Sequence, residues 1–216
     1  MSTAIIFDLD GTLADSTGCV VHAAQTVGRA HDLPTVTDEE IRQRIGEPLG
    51  PMLAALFGAE GELLQQLVKD YSAAYVAGTA TMERPFGGTL ALLEALRADG
   101  RQLAIATGKS QNGAEHATER MGLAPYFDSI HGIIPGTPGK PHPAVLERAM
   151  AALGVDASSA VMIGDTTYDL DLSAAIGVGS VAVSWGVHDV ETLRGRGPRA
   201  LVHSMEELLD WLLENT

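Results

Sequence analysis

From about Pro85 onward, short apolar runs alternate with segments of helical pattern. The runs are QLAIAT, SAVMIGD, GSVAVSW and ALVHS, and GGTLALLEALRAD is typical of the segments between them. This alternation is the pattern of an α/β fold with a parallel sheet. The segment AIIFD at residues 4–8 resembles these runs, and we therefore assign it to the same sheet.

The segment between residues 16 and 84 shows no convincing strand and has helical patterns instead. Four residues of LLQQLVKDYSAAY fall on one helical face: Leu63, Leu67, Tyr71 and Ala74. The segment TDEE resembles a capping box formed by Thr37 and Glu40. We therefore predict an α/β core domain, residues 1–15 and 85–216, interrupted after its first strand by an all-helical cap domain, residues 16–84.

The composition restricts the kind of partner. The chain has 14 Lys and Arg against 28 Asp and Glu, a formal net charge of -14, which opposes binding to nucleic acid or to an anionic membrane. A small-molecule partner is favoured. The single cysteine, Cys19, excludes an internal disulfide and favours a reducing, cytoplasmic location. The sequence has no apolar run of the roughly 20 residues that a membrane span needs. It leaves open whether the protein is a monomer or a homodimer.

Two acids follow the first apolar run, in the segment DLDGT. Side chains at positions i and i+2 of an extended chain point to the same side, so Asp8 and Asp10 can converge beyond the end of the strand. Ligands of open α/β sheets bind at this edge. Two close carboxylates repel each other unless a cation or a shared proton compensates, and hard oxygen ligands favour Mg²⁺. Taken alone, the segment is equally compatible with an ordinary Asp-Gly turn.

Phosphate-binding groups follow two further strands. After QLAIA, the hydroxyl of Thr107, Gly108 and a helix that starts at about Ser110 can donate to a phosphate oxygen. After the predicted short strand SIHGII, Lys140 offers a compact positive charge between turn residues. Each feature alone is also explained by a helix cap or by a solvated side chain.

A third acid and a fourth follow the strand SAVMI. Asp165 lies at the strand end, and Asp169 is reachable on the same side of an opening helix. Acids at a helix N-terminus are also favoured by the helix dipole alone. The four strand ends together, however, point to one site that binds a metal ion and a phosphate.

In this order and across nearly the whole chain, these motifs resemble those of the haloacid dehalogenase-like (HAD) hydrolases. DLDGT is similar to the first motif of that family, Thr107 to the second, Lys140 to the third and GDTTYD to the fourth. The helical insert resembles the helical-cap subfamily, and KPHP with GDTTYDL resembles the phosphoglycolate phosphatase branch. The resemblance implies a Rossmann-like core.

The resemblance also implies roles for individual residues. Asp8 would attack phosphorus, and Asp10 would serve as general acid and base. Mg²⁺ would be held by Asp8, Asp165 and the carbonyl of Asp10. Thr107 and Lys140 would bind the phosphoryl oxygens. The expected activity is hydrolysis of a small-molecule phosphate ester through an aspartyl-phosphate.

Three residues are assigned to supporting or substrate-binding positions. We expect Asp169 to act from behind the site, where it would orient Lys140 or a metal-bound water. Arg44 and Glu47, in the segment RIGEPLG of the predicted cap, are candidates for contact with the leaving group. A solvated helix end is an equal alternative for both.

Other functions either stay open as alternatives or are excluded by the spacing of the motif that they require. The segment GKS at Gly108 to Ser110 suggests a P-loop, but position 103, where that motif requires glycine, is Leu103. A mutase of the beta-phosphoglucomutase type shares the core motifs and stays open. A catalytically inactive phosphate-binding protein on the same fold is the alternative of another class.

Overall fold

Six parallel strands form the main sheet of the computed structural model, which describes residues 3–216 and, at residues 79–81, the backbone alone. The strands of this part of the chain are β1 (Ala4–Phe7), β2 (Ala14–Asp15), β3 (Arg84–Pro85), β4 (Leu103–Ser110), β5 (Ser129–Ile133), β6 (Ala160–Gly164), β7 (Gly179–Val183) and β8 (Ala200–Val202). The helices are α1 (Thr17–Ala30), α2 (Asp38–Arg42), α3 (Leu49–Phe57), α4 (Gly61–Met82), α5 (Thr89–Ala98), α6 (Gln111–Arg120), α7 (Ala144–Leu153), α8 (Thr167–Ala175), α9 (Val190–Arg194) and α10 (Met205–Asn215). The main sheet has the order β5-β4-β1-β6-β7-β8, and β2 pairs with β3 separately.

Strand β1 is apolar throughout because it is covered on both faces. Ile5 and Phe7 belong to the core cluster that includes α5 and α10 residues, and Ala4 and Ile6 belong to the cluster that includes α7 residues. Successive side chains of a strand alternate between faces, so an enclosed strand needs an unbroken apolar run. Each fully buried isoleucine or phenylalanine contributes about 1.5 to 3 kcal/mol. The predicted α/β class with a parallel sheet is confirmed.

The strand order brings the predicted site residues to one edge. β1 pairs in parallel with β4 and with β6, so the carboxyl ends of these three strands are neighbours. From β1 the strands continue outward through β4 to β5 on one side of β1, and the chain then resumes with β6 on the other side of β1. Such a reversal opens a crevice beyond the carboxyl ends of the strands, where ligands bind in sheets of this type.

The chain divides into two compact units, one ending at Ala14 and resuming at Pro85–Thr216, and the other spanning Asp15–Arg84. The predicted boundary differs from this division at Asp15. Within the second unit, helices α1 to α4 pack together, chiefly α4 against α1 and α3. The predicted capping box is confirmed, because Thr37 Oγ1 accepts from Glu40 N and Thr37 N donates to Glu40 Oε2.

One predicted helical face is only partly correct. Leu67 and Tyr71 are buried as expected, but Leu63 is 40% exposed. Helix α4 begins at Gly61, so Leu63 lies in the first turn of the helix. The buried face begins one turn later, at Leu67. Among the residues described, no helix is both long enough and apolar enough to cross a membrane.

Candidate active site

Asp8 and Lys140 form a buried ion pair at the end of strand β1. The backbone N of Asp8 donates to Ile163 O at 2.9 Å, which extends the strand pairing by one residue and fixes the acid at the edge of the sheet. Lys140 comes from the segment between β5 and α7, and its Nζ lies 2.8 Å from Asp8 Oδ1. Two segments that are far apart in the sequence therefore meet at one carboxylate.

Asp165 directly follows strand β6 and is enclosed by two loops. Thr12 Oγ1 donates to Asp165 Oδ1 at 2.8 Å, and Val187 N donates to Asp165 Oδ2 at 2.9 Å. A Cβ added to Gly11 or to Gly186 would lie 2.2 Å from Asp165 side-chain atoms. Both positions therefore need glycine, because only a bare backbone can approach the carboxylate so closely.

Asp169 lies in the first turn of helix α8 and is fully buried. Thr166 donates to Asp169 Oδ2 from its backbone N at 3.2 Å and from its hydroxyl at 2.7 Å. A Cβ on Gly164 would lie 2.3 Å from Asp169 Cβ, so this residue too is packed against bare backbone. The other oxygen, Asp169 Oδ1, accepts from Lys140 Nζ at 2.5 Å.

The three acids Asp8, Asp165 and Asp169 form a group that fits a divalent metal ion. Each offers a carboxylate oxygen, these oxygens all lie within 4.8 Å of one another, and all three residues are buried. Lys140 contacts Asp8 and Asp169, but within residues 3–216 no basic side chain forms an ion pair with Asp165. The group therefore holds more negative than positive charge, and its donors are the hard oxygens that Mg²⁺ prefers.

The ionisation of the group supports the same conclusion. Burial raises the pKa of Asp8 to about 7; the Lys140 ammonium opposes this shift, and the carboxylates of Asp169 and Asp10 add to it. Burial, followed by Asp169 and Asp8, raises the pKa of Asp165 well above its ordinary value. Burial alone would lower the pKa of Lys140, but Asp169 and Asp8 raise it, so this lysine stays charged. A bound cation would favour the ionised carboxylates.

A second ion pair lies beside the first, between Asp10 and Lys109. Lys109 Nζ is 2.9 Å from Asp10 Oδ1, and the lysine side chain is 10% exposed. Thr107 is buried in strand β4, and its Oγ1 accepts from Lys109 N at 3.3 Å. Gly108 is exposed and leaves open space where a side chain would be. Ser110 caps helix α6 by accepting from Gly113 N, as predicted.

His188 supports the start of helix α8. Its Nδ1 accepts from Thr167 N at 3.0 Å, and its backbone N donates to Asp165 O at 3.3 Å. Burial lowers the pKa of His188, which favours the neutral ring that can accept a hydrogen bond. The Tyr168 and His188 rings lie 5.9 Å apart.

A comparison with known protein families finds a match that covers most of this chain. Residues 5–183 match the family model described as haloacid dehalogenase-like hydrolase. The chain belongs to this family.

This HAD-like hydrolase has curated relatives that are named as phosphatases. It is 33% identical to a probable phosphatase, IndB, of Dickeya dadantii, over 97% of this chain and 93% of that protein. It is 32% identical to the phosphoglycolate phosphatase of Rhodospirillum rubrum, over 98% of this chain and 91% of that protein.

Solved structures are similar in fold to this hydrolase over nearly its whole length. A Clostridium acetobutylicum protein assigned by prediction as a phosphatase superposes with a TM-score of 0.91 at 27% identity, over 99% of both chains. A Thermotoga maritima protein assigned by prediction as a beta-phosphoglucomutase superposes with a TM-score of 0.78 at 25% identity, over 100% of both chains.

The structure of the HAD-like hydrolase arranges the predicted site residues in three groups. Asp8, Lys140, Asp165 and Asp169 contact or face one another. Asp10 pairs with Lys109 instead, so its carboxylate lies outside the three-acid group, while Asp169 lies inside it. Arg44 and Glu47 belong to the other unit, where Arg44 NH1 lies 3.1 Å from Glu47 Oε1.

Several residues that shape the site have no place in the sequence predictions. They are Lys109, the Thr12 hydroxyl, the backbone of Val187, and the glycines that enclose the acids. A sequence signal exists for two of them, because Thr12 belongs to the motif DLDGT and Lys109 directly follows Thr107 and Gly108 in the segment TGKS. The contribution of Val187 is a backbone N–H, which any residue at that position would supply.

Proposed function

We propose that this protein is a Mg²⁺-dependent phosphatase that hydrolyses a small-molecule phosphate monoester through an aspartyl-phosphate on Asp8. The observation that carries the proposal is the position of Asp8. Its carboxylate lies at the carboxyl edge of the sheet, 2.8 Å from Lys140 and within a group of three buried acids. Membership of the HAD-like hydrolases and the names of the curated relatives support phosphate-ester hydrolysis.

In the first step, Asp8 is the nucleophile. One oxygen of its ionised carboxylate attacks phosphorus, and the bond between phosphorus and the leaving oxygen breaks. Asp10 transfers its proton to that oxygen, so the product leaves as a neutral alcohol. Lys140 and Thr107 hold the phosphoryl oxygens during the transfer, with Gly108 offering its backbone N–H.

In the second step, the aspartyl-phosphate is hydrolysed. Asp10, now ionised, takes a proton from a water molecule, and the water oxygen attacks phosphorus. The bond between phosphorus and the Asp8 oxygen breaks, which returns Asp8 to a carboxylate and releases inorganic phosphate. Asp10 is protonated again, so the cycle closes without any other proton donor.

Asp8, Asp165 and the backbone carbonyl of Asp10 would hold the Mg²⁺ ion, with Asp169 supporting Lys140. When bound, Mg²⁺ supplies neutralisation of charge on the phosphoryl oxygens. Thr12 and Val187 hold both oxygens of Asp165 by hydrogen bonds, which fixes the direction of its lone pairs. In phosphoryl transfer, positioning and charge neutralisation supply most of the acceleration.

The substrate class is a small phosphorylated metabolite, such as a phosphoglycolate-like ester or a sugar phosphate. The net charge of -14 opposes nucleic acids and anionic membranes as partners. We assign residues 16–84 the role of a cap domain that contributes to selection of the leaving group, with Arg44 and Glu47 as its contacts. The cytoplasm is the proposed location.

A mutase is the second candidate function, and the superposition on the Thermotoga maritima protein supports it. A mutase passes the phosphoryl group from Asp8 to a second sugar hydroxyl instead of water. Assaying isomerisation of a sugar phosphate separates the two functions. An inactive phosphate-binding protein, the remaining alternative, predicts ligand binding without any turnover.

The test uses the full chain, an aryl phosphate and a panel of phosphorylated metabolites. We expect chelator-treated protein to lose turnover and to regain it when Mg²⁺ is added. Acid quenching during turnover should trap phosphate covalently bound to the parent protein and none on Asp8→Asn. Asp210→Asn, a change of an exposed acid on α10, is the matched control and should behave as the parent. Full activity in excess chelator, or in Asp8→Asn, would contradict the proposal.

A further inference from the structure

The contact between Lys109 and Asp10 has no role in the mechanism above. Nζ and Oδ1 are 2.9 Å apart, and the two side chains are 10% and 22% exposed. Ion pairs at the open surface contribute little, because water and salt screen them and both side chains remain mobile. This pair is largely enclosed, so its geometry is held more firmly than that of a surface pair.

The backbone that carries Lys109 is fixed by a close approach of strands. The pairing of β4 with β5 shifts register between Ala106 and Ser110, which places a bulge in the stretch of residues 107–109. A Cβ on Gly132 of β5 would lie 2.6 Å from Lys109 O. Only glycine allows β5 to come this close to the bulge.

Side chains bridge the interrupted ladder beside the same bulge. Gln111 Nε2 donates to Ile130 O at 2.9 Å, and Gln111 Oε1 accepts from Gly132 N at 2.9 Å. Arg148 of α7 donates to Gly132 O at 2.7 Å and to Gln111 Oε1 at 3.2 Å. These bonds tie Gln111, two residues after Lys109, to β5 and to α7.

Each of the two acids of DLDGT therefore has its own lysine. Lys140 contacts the nucleophile Asp8, and Lys109 contacts the acid/base Asp10. A partly exposed aspartate can adopt several rotamers, whereas proton transfer to the leaving oxygen needs the carboxyl group within hydrogen-bond reach. A fixed ammonium group at Asp10 Oδ1 restricts the orientation of the carboxyl group.

We propose that Lys109 is a positioning residue that holds the side chain of Asp10 in the orientation from which it protonates the leaving group. The inference rests on the proposed phosphatase function. Lys109 keeps its own proton, and the transferred proton passes from Asp10 to the leaving oxygen. Removal of Lys109 should therefore matter most where protonation of the leaving group matters most.

The test compares Lys109→Met with the parent on an aryl phosphate, whose leaving group departs readily, and on an alkyl phosphate, whose leaving group needs the proton. Methionine keeps the apolar stem and removes the charge, and Lys109→Gln is the second variant if the first does not fold. A small displacement of a catalytic group costs about 10- to 100-fold in rate. We expect a loss of this size in kcat/KM for the alkyl ester and a loss at least about tenfold smaller for the aryl ester. Lys69→Met, at an exposed lysine of α4, should change neither value.

A double-mutant cycle distinguishes positioning from a structural or phosphate-binding role. If Lys109 acts through Asp10, Lys109→Met should cost less than about threefold in the Asp10→Asn background, because the group that it positions is already gone. Equal losses on both esters would show that Lys109 binds the phosphoryl group or supports the fold, and would overturn the proposal. Unchanged kinetics in Lys109→Met would overturn it as well. If the parent protein itself shows no turnover, the proposed function and this inference both fail. If the parent is active and Lys109→Met loses activity equally on both esters, this inference alone fails.

Discussion

Lys140 Nζ lies 2.5 Å from Asp169 Oδ1, in an ion pair of which neither side chain is more than 5% exposed. Asp169 is thus a fixed counter-charge for the lysine that is proposed to bind phosphate. Asp169→Asn keeps the shape of the side chain but removes this charge. We expect kcat/KM for an aryl phosphate to fall about 10- to 100-fold, as for other residues that orient a site from behind.

The same helix offers a matched control for that substitution. Asp171 also lies in α8, but it is 39% exposed and pairs with Arg196 at the surface. Asp171→Asn should leave kcat/KM within about threefold of the parent. Equal activity in Asp169→Asn and Asp171→Asn would show that Lys140 does not depend on Asp169.

Gly186→Ala should disturb the proposed metal site without replacing any of its acids. The added methyl group would lie 2.2 Å from Asp165 side-chain atoms, so either the loop or the carboxylate must move. We expect the Mg²⁺ concentration for half-maximal activity to rise about tenfold or more, with about 1 to 3 kcal/mol of lost stability from overpacking. Metal titration and urea unfolding measure the two effects.

Gly87→Ala is the control for that substitution. Gly87 has open space where its Cβ would stand, so the methyl group should change neither the metal requirement nor the urea midpoint. If Gly186→Ala matched Gly87→Ala in both measurements, the close packing around Asp165 would have no part in holding the metal.

His131 should make the protein sensitive to acid. Its two ring nitrogens are buried, without a hydrogen-bond partner in residues 3–216, and burial together with the charge of Arg148 lowers its pKa. In the unfolded chain the ring takes up a proton near pH 6.5, at about its ordinary pKa. Below that pH the unfolded state binds more protons than the folded state, so stability is full above about pH 6.5 and falls as the pH drops toward the folded pKa.

The measurement for His131 is the urea midpoint at about pH 7.5 and at about pH 5.5. The parent should lose more stability across this interval than His131→Leu, which cannot take up the proton. His116→Leu, at an exposed helix position, should lose as much as the parent. An acid loss in His131→Leu as large as that in the parent would assign the sensitivity to other groups.

Arg44→Ala and Glu47→Ala should change substrate preference in opposite directions. Arg44 NH1 donates to both Glu47 oxygens, at 3.1 and 3.4 Å, so each substitution frees the partner's charge. Without Arg44, esters that carry a carboxylate should lose roughly 10- to 100-fold in kcat/KM; without Glu47, they should gain. An aryl phosphate should change by less than about threefold in either variant.

The comparison needs kcat/KM for phosphoglycolate, a sugar phosphate and an aryl phosphate in each protein. Arg42→Ala, an exposed neighbour in the same segment, should match the parent on all three. If the three substrates fall in parallel in Arg44→Ala and Glu47→Ala, the pair supports the fold of its unit and does not select substrates.

The features that could be predicted from the sequence are those whose signal is local. The run AIIF is apolar because both faces of β1 are covered, and such a run is readable without the neighbours of the strand. Asp8 and Asp165 stand directly after apolar runs, and parallel strands bring their carboxyl ends to one edge. The order of the four motifs then sufficed to assign the family correctly.

The features that could not be predicted depend on contacts between distant segments. Thr12 donates to Asp165, and Lys109 pairs with Asp10, yet no spacing or periodicity links either pair. The need for glycine at Gly186 arises from a loop that closes on an acid of another strand. Leu63 is exposed although it shares the helical period of Leu67 and Tyr71, because periodicity does not show where a helix loses its packing partner.

The topology of the sheet has a consequence for biosynthesis. Strand β1 pairs with residues 103–105 and 160–163, so on the ribosome it emerges long before either neighbour has been made. A nascent chain therefore carries Asp8 at the end of an apolar strand that has no sheet to join. Asp8, Lys140 and Asp165 meet only after residue 165 has been synthesised. The proposed hydrolysis of phosphate esters thus cannot begin before synthesis of the chain is nearly complete.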